Sequence, residues 1–312
     1  MGNLLIVLYM VLSAAKAVYL SHLLQSLDPI VVLFHTFLIA WVIFLIVARI
    51  NGRILLLVRF IADNKRSILL FNLFTATSWG TYFAAVKLLE PSAHAVIANA
   101  SQPLVALLLP GAVALGSMKA GRTLYRGGLL LILIGVLLQI SVILLGQASL
   151  RNLSIQRAVL GLSMSAMCAA SLALNRRVNY NLQNTGLRAS DLMGVRFMGL
   201  LAVALLVRFQ DVGLTAGSAA IIMENWWKIG VIGLIGVTLP VYLLQKGQTL
   251  TDEFSAALVT SLMPLAMLSI QALDARFTFS FGSIAATVLA TIGTFCVLLA
   301  KRYAQPKKGA AS

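Results

Sequence analysis

The chain has 312 residues, 60% of them hydrophobic and only 11% charged, with a mean hydropathy of +0.95. Soluble domains carry roughly a quarter charged residues, so this chain has too little polar surface to cover a water-exposed globule. Its net charge of +15 raises nucleic acid as a partner, but the placement of the bases assigns them to membrane topology instead.

In chain order, apolar runs predict helical spans at 3–23, 29–49, 67–87, 93–116, 127–146, 157–175, 190–209, 227–246, 254–273 and 280–300. Each is long enough to cross a hydrocarbon core of about 30 Å as a helix. Lipid offers the backbone no partners, which favours helices. A β-barrel needs alternating polarity, and Leu129–Leu138 does not alternate. The first run follows Met-Gly-Asn with no basic region and reads as a retained span. The longest connector, Ile50–Arg66, contains a mildly amphipathic stretch, Ile54–Ile61, expected along the membrane face. Cys168 and Cys296 fall inside apolar runs and read as small packing residues.

With the N-terminus inside, 16 of the 24 Lys and Arg fall on the cytoplasmic side and 6 on the other, with Lys16 and Arg196 inside spans. That bias predicts an even span count and both termini cytoplasmic; the expected location is a bacterial inner membrane. It also removes the case for nucleic acid.

Pro91–Pro103 (PSAHAVIANASQP) and Asp252–Pro264 (DEFSAALVTSLMP) each place a small-residue helix after a polar turn and end at a mid-span proline, 161 residues apart. The same offset sets His35 on Arg196. The expected fold is all-α integral membrane, with ten helices as two inverted-topology five-helix repeats, 1–150 and 151–302, then a basic cytoplasmic tail at 303–312.

The fourth and fifth spans, PSAHAVIANASQPLVALLLPGAVALG and GGLLLILIGVLL, and their echo in Ser255–Arg302, resemble the drug/metabolite transporter superfamily, in particular its ten-span EamA-type members. Arg196-Phe197 resembles the Arg-Phe common near the start of the second helix of each repeat. Two departures stand out: Gly116-Ser117 replaces a frequent Gly-Glu, and the first span reads SAAKAVYL, with Lys16 displaced, while Trp79-Gly80 sits in the third. The resemblance implies transport of amino acids, sugars, nucleotide-like solutes or drugs, or nucleotide-sugar and sugar-phosphate exchange as in eukaryotic relatives.

Intramembrane polar residues are costly and usually face a cavity or a partner. Lys16 is the sharpest case: it either lines a cavity and attracts a carboxylate, or reaches the headgroups. His35 either contacts solute or bonds a backbone carbonyl. Arg196 either contacts solute or pairs with Asp191 one turn earlier. Trp79 with Tyr82, and Tyr242 with Gln245, are three apart and share helix faces as candidate cavity walls. Asn99, Ser101 and Gln102 precede Pro103, as Thr260 and Ser261 precede Pro264. Paired interruptions of this kind point to a transport site, with Pro103 and Pro264 as hinges. His94, after Glu90-Pro91, is expected at a solvated mouth. Gly282, Ala286, Ala290 and Thr294 form a small-residue stripe for close packing, within the chain or in a homodimer through the tenth helix.

The nine acids fall in connectors or at span ends, which disfavours cation/proton exchange through a mid-bilayer carboxylate. No phosphate loop, nucleophile constellation or metal spacing is present, so neither an enzyme nor a cofactor or metal is expected. The expectation is therefore an alternating-access carrier of an amino acid, organic acid or other zwitterion. A nucleotide-sugar or phosphorylated-metabolite carrier, and a lipid flippase component or membrane scaffold, are the alternatives.

Overall fold

Every regular element among the described residues is helical. The structure is a computed structural model and describes residues 1–108, 121–147, 154–183, 187–210, 216–251, 253–278 and 280–304. Gly116-Ser117, the close of the predicted fourth span and most of the basic tail lie outside them. The helices are α1 (Gly2–Ser26), α2 (Pro29–Ile50), α3 (Ile54–Asp63), α4 (Lys65–Leu88), α5 (Pro91–Ala95), α6 (Gln102–Leu108), α7 (Arg122–Leu144), α8 (Ile155–Gln183), α9 (Ala189–Arg196), α10 (Met198–Gln210), α11 (Ala216–Val231), α12 (Leu239–Thr249), α13 (Glu253–Ser261), α14 (Met263–Gln271) and α15 (Phe281–Ala304). π-Helical turns at Val96–Ala100 and Ile232–Thr238 join α5 towards α6 and α11 to α12.

Eight described stretches are long and apolar enough to cross a membrane, so the chain is a multi-pass membrane protein. α4 matches them in length, at 24 residues, but Asn72, Thr75, Ser78 and Thr81 are buried along it and lower its hydropathy. α8 runs on to Gln183 rather than stopping near 175. Its polar final turns look like a connector to hydropathy, yet no Gly or Pro ends the helix before Gly186.

Helix ends are closed by local chemistry. The Asp28 carboxylate accepts from the backbone N–H groups of Ile30 and Val31 at 2.8 and 3.2 Å, with Pro29 at the first helical position. At the far end of α2, Gly52 adopts φ +66°, its N–H bonds Arg49 O and the next N–H, of Arg53, bonds Ala48 O. This is a Schellman closure, which glycine permits because it has no Cβ. The sharp exit delivers Arg53 to Asp191, with N–O distances of 2.7 and 2.8 Å. Asp191 is fully buried, and its pairing with Arg53 replaces the expected pairing with Arg196.

The span expected at 190–209 is broken at Phe197, between α9 and α10. In an unbroken helix the Gly199 N–H would bond Val195 O. Here Asn72 of α4 takes both groups: its Nδ2 donates to Val195 O at 3.1 Å, and its Oδ1 accepts from Gly199 N–H at 2.7 Å. A Cβ on Gly199 would lie 2.7 Å from the Asn72 Cβ, so only glycine lets the amide in. Phe37 and Phe44 hold the Phe197 ring at centroid distances of 5.0 and 6.5 Å. These rings, with Phe71 and Phe83, anchor the main apolar core.

α7 and α15 pack backbone to backbone. A Cβ on Gly293 would fall 2.6 Å from Gly128 O, and one on Gly135 would fall 2.8 Å from Ala286 O. The small-residue stripe of the last helix thus meets α7 of the same chain. At the other edge, the Gln271 Oε1 of α14 accepts the Ser92 N–H of α5 at 2.7 Å, and Gln271 is fully buried.

Candidate solute-binding site

Lys16 lies on α1 with its side chain turned into the protein, and it is 8% exposed. Its ammonium sits 4.7 Å from the Trp79 ring centroid and 5.0 Å from that of Tyr82. Those rings stand edge to face, 5.5 Å apart, as their spacing of three on α4 predicts. Phe37 of α2 closes on Trp79 at 4.8 Å. No carboxylate lies within ion-pair distance of Lys16 among the described residues. Two π faces contribute about 2 kcal/mol or more each when dry, the same order as the several kcal/mol for taking an ion out of water. They offset burial without neutralising the charge, so an anion beside it would still be attracted.

The stem of Lys16 lies across Gly236, in the π-helical turn, where an added Cβ would sit 2.8 Å from the Lys16 Cγ. Gly236→Val is expected to displace the ammonium from its rings without altering any charge. It should mimic loss of Lys16 in a solute-binding assay while the folded protein is still recovered.

His94 of α5 completes the cluster and corrects the expectation of a solvated mouth, since it is 2% exposed. Its ring packs on Tyr82 at 5.1 Å, and its Nδ1 is 3.0 Å from Ser165 Oγ of α8. Ser165 already donates to Gly161 O at 2.9 Å. The hydroxyl must therefore accept from His94, which puts the imidazole proton on Nδ1 and leaves Nε2 as the acceptor. Cys168 packs beside them, its thiol donating to Ser78 O at 3.4 Å.

The other candidates lie elsewhere. His35 is half-buried; its Nδ1 bonds Val31 O at 2.8 Å and its ring meets Phe34, both on its own helix. Arg196 rests its guanidinium over Phe71 at 5.3 Å. Tyr242 is 39% exposed and Gln245 only 2%, so two residues expected to share a wall occupy different surroundings. Before Pro103, the Gln102 Nε2 reaches Ala98 O and the Asn99 Oδ1, and the Ser101 hydroxyl donates to Ile97 O. Before Pro264, Thr260 donates to Ala256 O at 3.0 Å and Ser261 to Leu258 O at 2.7 Å. In both places hydroxyls serve the carbonyls around a proline interruption.

Tyr82 Oη, Gln102 Oε1, Gln245 Nε2, Asn175 Oδ1 and Arg196 Nε are buried with no hydrogen-bond partner among the described residues. A lone buried polar atom costs about 1–3 kcal/mol. These atoms lie on α4, α6, α8, α9 and α12.

The fold is that of a helical multi-pass membrane protein, with one buried base, two aromatic rings and a histidine gathered at its candidate site. Residues 1–141 match the model of the EamA-like transporter family, which lies within the drug/metabolite transporter superfamily. The family indicates a membrane transporter and names no solute. No curated protein matches the sequence significantly. A crystal structure described only as that of a protein is similar over 96% of this chain and 97% of that one, with a TM-score of 0.63 and 17% identity, a likeness that carries the fold alone.

Proposed function

We propose that the chain carries a small organic anion or zwitterion, such as an organic acid or amino acid, by alternating access. The observation behind this is the buried Lys16 ammonium, which lies against two ring faces and has no carboxylate in ion-pair distance among the described residues. Trp79, Tyr82 and His94 form the rest of the binding wall, and the site is closed by packing in this conformation. Arg196, with its unpartnered Nε, serves as a second cationic station on the route, and Asn99, Gln102 and Gln245 offer amide contacts along it.

Two inverted five-helix halves make such a carrier reversible, and the pattern of packing supports that arrangement. Exchanging the halves sends α1 to α8, α2 to α9–α10, α4 to α11–α12, α5–α6 to α13–α14 and α7 to α15. The principal pairings then map onto one another: α1 with α12 becomes α8 with α4, α2 with the π-turn after α11 becomes α9–α10 with α4, and α7 with α15 maps to itself. On this reading α4 and the α5–α6 segment supply the remaining two of ten spans. Pro103 and Pro264 act as hinges, the Lys and Arg bias favours both termini in the cytoplasm, and the membrane on this reading is a bacterial inner one.

In vesicles reconstituted with the purified chain, Lys16→Ala should lower uptake of a small carboxylate about tenfold or more. This follows from one lost charge-assisted contact of about 1.5–3 kcal/mol. Uptake of a small organic cation should not fall. Equal loss of both would remove the electrostatic basis of the proposal.

A further inference from the structure

The search for chemistry outside this site leads to the basic end of α2. Val42, Leu45, Ile46, Arg49 and Ile50 of α2, with Ile54 of α3, line an open groove of about 390 Å³ whose walls are apolar apart from Arg49. From Val42 to Ile50 a helix rises about 12 Å, close to the roughly 15 Å depth of one leaflet's hydrocarbon. Arg49 therefore stands where a headgroup would sit if an acyl chain lay in the groove.

α3 adds to the case. At 100° per residue its circumference divides into three sectors. Leu57 and Ile61 turn to the protein, and Leu57 is buried. Val58, Ala62 and Leu55 form a second apolar sector that no helix covers, with Leu55 82% and Val58 59% exposed. Arg59 and Asp63 form the polar edge beside it. A soluble surface would not carry that second sector, whereas a helix lying in the bilayer interface needs it.

The charges complete the pattern. From Arg49 to Arg66 the chain carries five bases, Arg49, Arg53, Arg59, Lys65 and Arg66, and the acid Asp63. Arg53 is held by Asp191, and the other four bases have no ion-pair partner among the described residues. We propose that the α2–α3 groove is a binding site for an anionic phospholipid, its acyl chain along Val42, Ile46 and Ile50 and its phosphate against Arg49. This site is separate from the Lys16 cluster and does not depend on which solute is carried.

The test is native mass spectrometry of the full chain, purified in detergent and given equal amounts of phosphatidylglycerol and phosphatidylcholine with the same acyl chains. The wild-type chain should retain phosphatidylglycerol in preference. Arg49→Gln should lower that preference about fivefold, the effect of one base at an anionic lipid surface. Ile46→Trp, which fills the groove, should reduce retention of both lipids. Arg126→Gln, an exposed base at the start of α7, should change nothing. The proposal is overturned if the wild-type chain does not discriminate, if Arg49→Gln discriminates as it does, if Ile46→Trp leaves retention intact, or if Arg126→Gln has the same effect as Arg49→Gln.

Discussion

Asn72→Leu is expected to destabilise the protein by about 2–6 kcal/mol, because it orphans two buried backbone groups at about 1–3 kcal/mol each. Val195 O and Gly199 N–H give up their mutual helical bond to the Asn72 amide. Leucine matches asparagine roughly in size but offers neither donor nor acceptor, and the bilayer supplies no substitute. Asn72→Asp would keep the acceptor for Gly199, but as a carboxylate it loses the donor to Val195 and buries a charge, so its cost should be at least that of Asn72→Leu. Equilibrium unfolding in mixed micelles measures the series. If Asn72→Leu were neutral, the α9–α10 break could close into a continuous helix and the amide would be dispensable.

Gly293→Leu is the second large effect, expected at about 3 kcal/mol or more. An added Cβ falls 2.6 Å from Gly128 O and 2.7 Å from Ile132 N, both backbone atoms that cannot rotate away. Overpacking a core costs about 1–3 kcal/mol when side chains can yield, and here the helices themselves must part. Gly127→Leu, one residue before Gly128 with nothing within 4 Å of its added Cβ, is the control and should be nearly silent. Comparable loss in both variants would mean that added side-chain bulk in general, not this backbone contact, sets the outcome.

Hydropathy alone located most helices to within a few residues, because a run such as Leu129–Leu138 has one favourable state in lipid. Lys16, Trp79 and Tyr82 were also legible: the charge stands out by its cost, and the ring spacing of three sets both on one helix face. Their meeting across α1 and α4 is tertiary and could only be an expectation. His94 was misread because Glu90-Pro91 marks a turn and turns are usually wet. The small neighbours Ser92, Ala93 and Ala95 are the signal that a second helix comes close there. The break at Phe197 carries no proline, since its bond partners come from another helix, and Gly199 is its sole local trace. Arg53 with Asp191 was hidden for the same reason, being 138 residues apart.

The bond from the Ser92 N–H to Gln271 has a mechanical consequence. It fastens α5 to α14 at one extremity, while the interruptions at Pro103 and around Leu262 lie further along each strut. Sliding the pair at the fastened tip breaks a buried bond, whereas splaying the distal tips leaves it intact. Displacement should therefore grow with distance from Gln271, as in a pair of tongs held at the rivet.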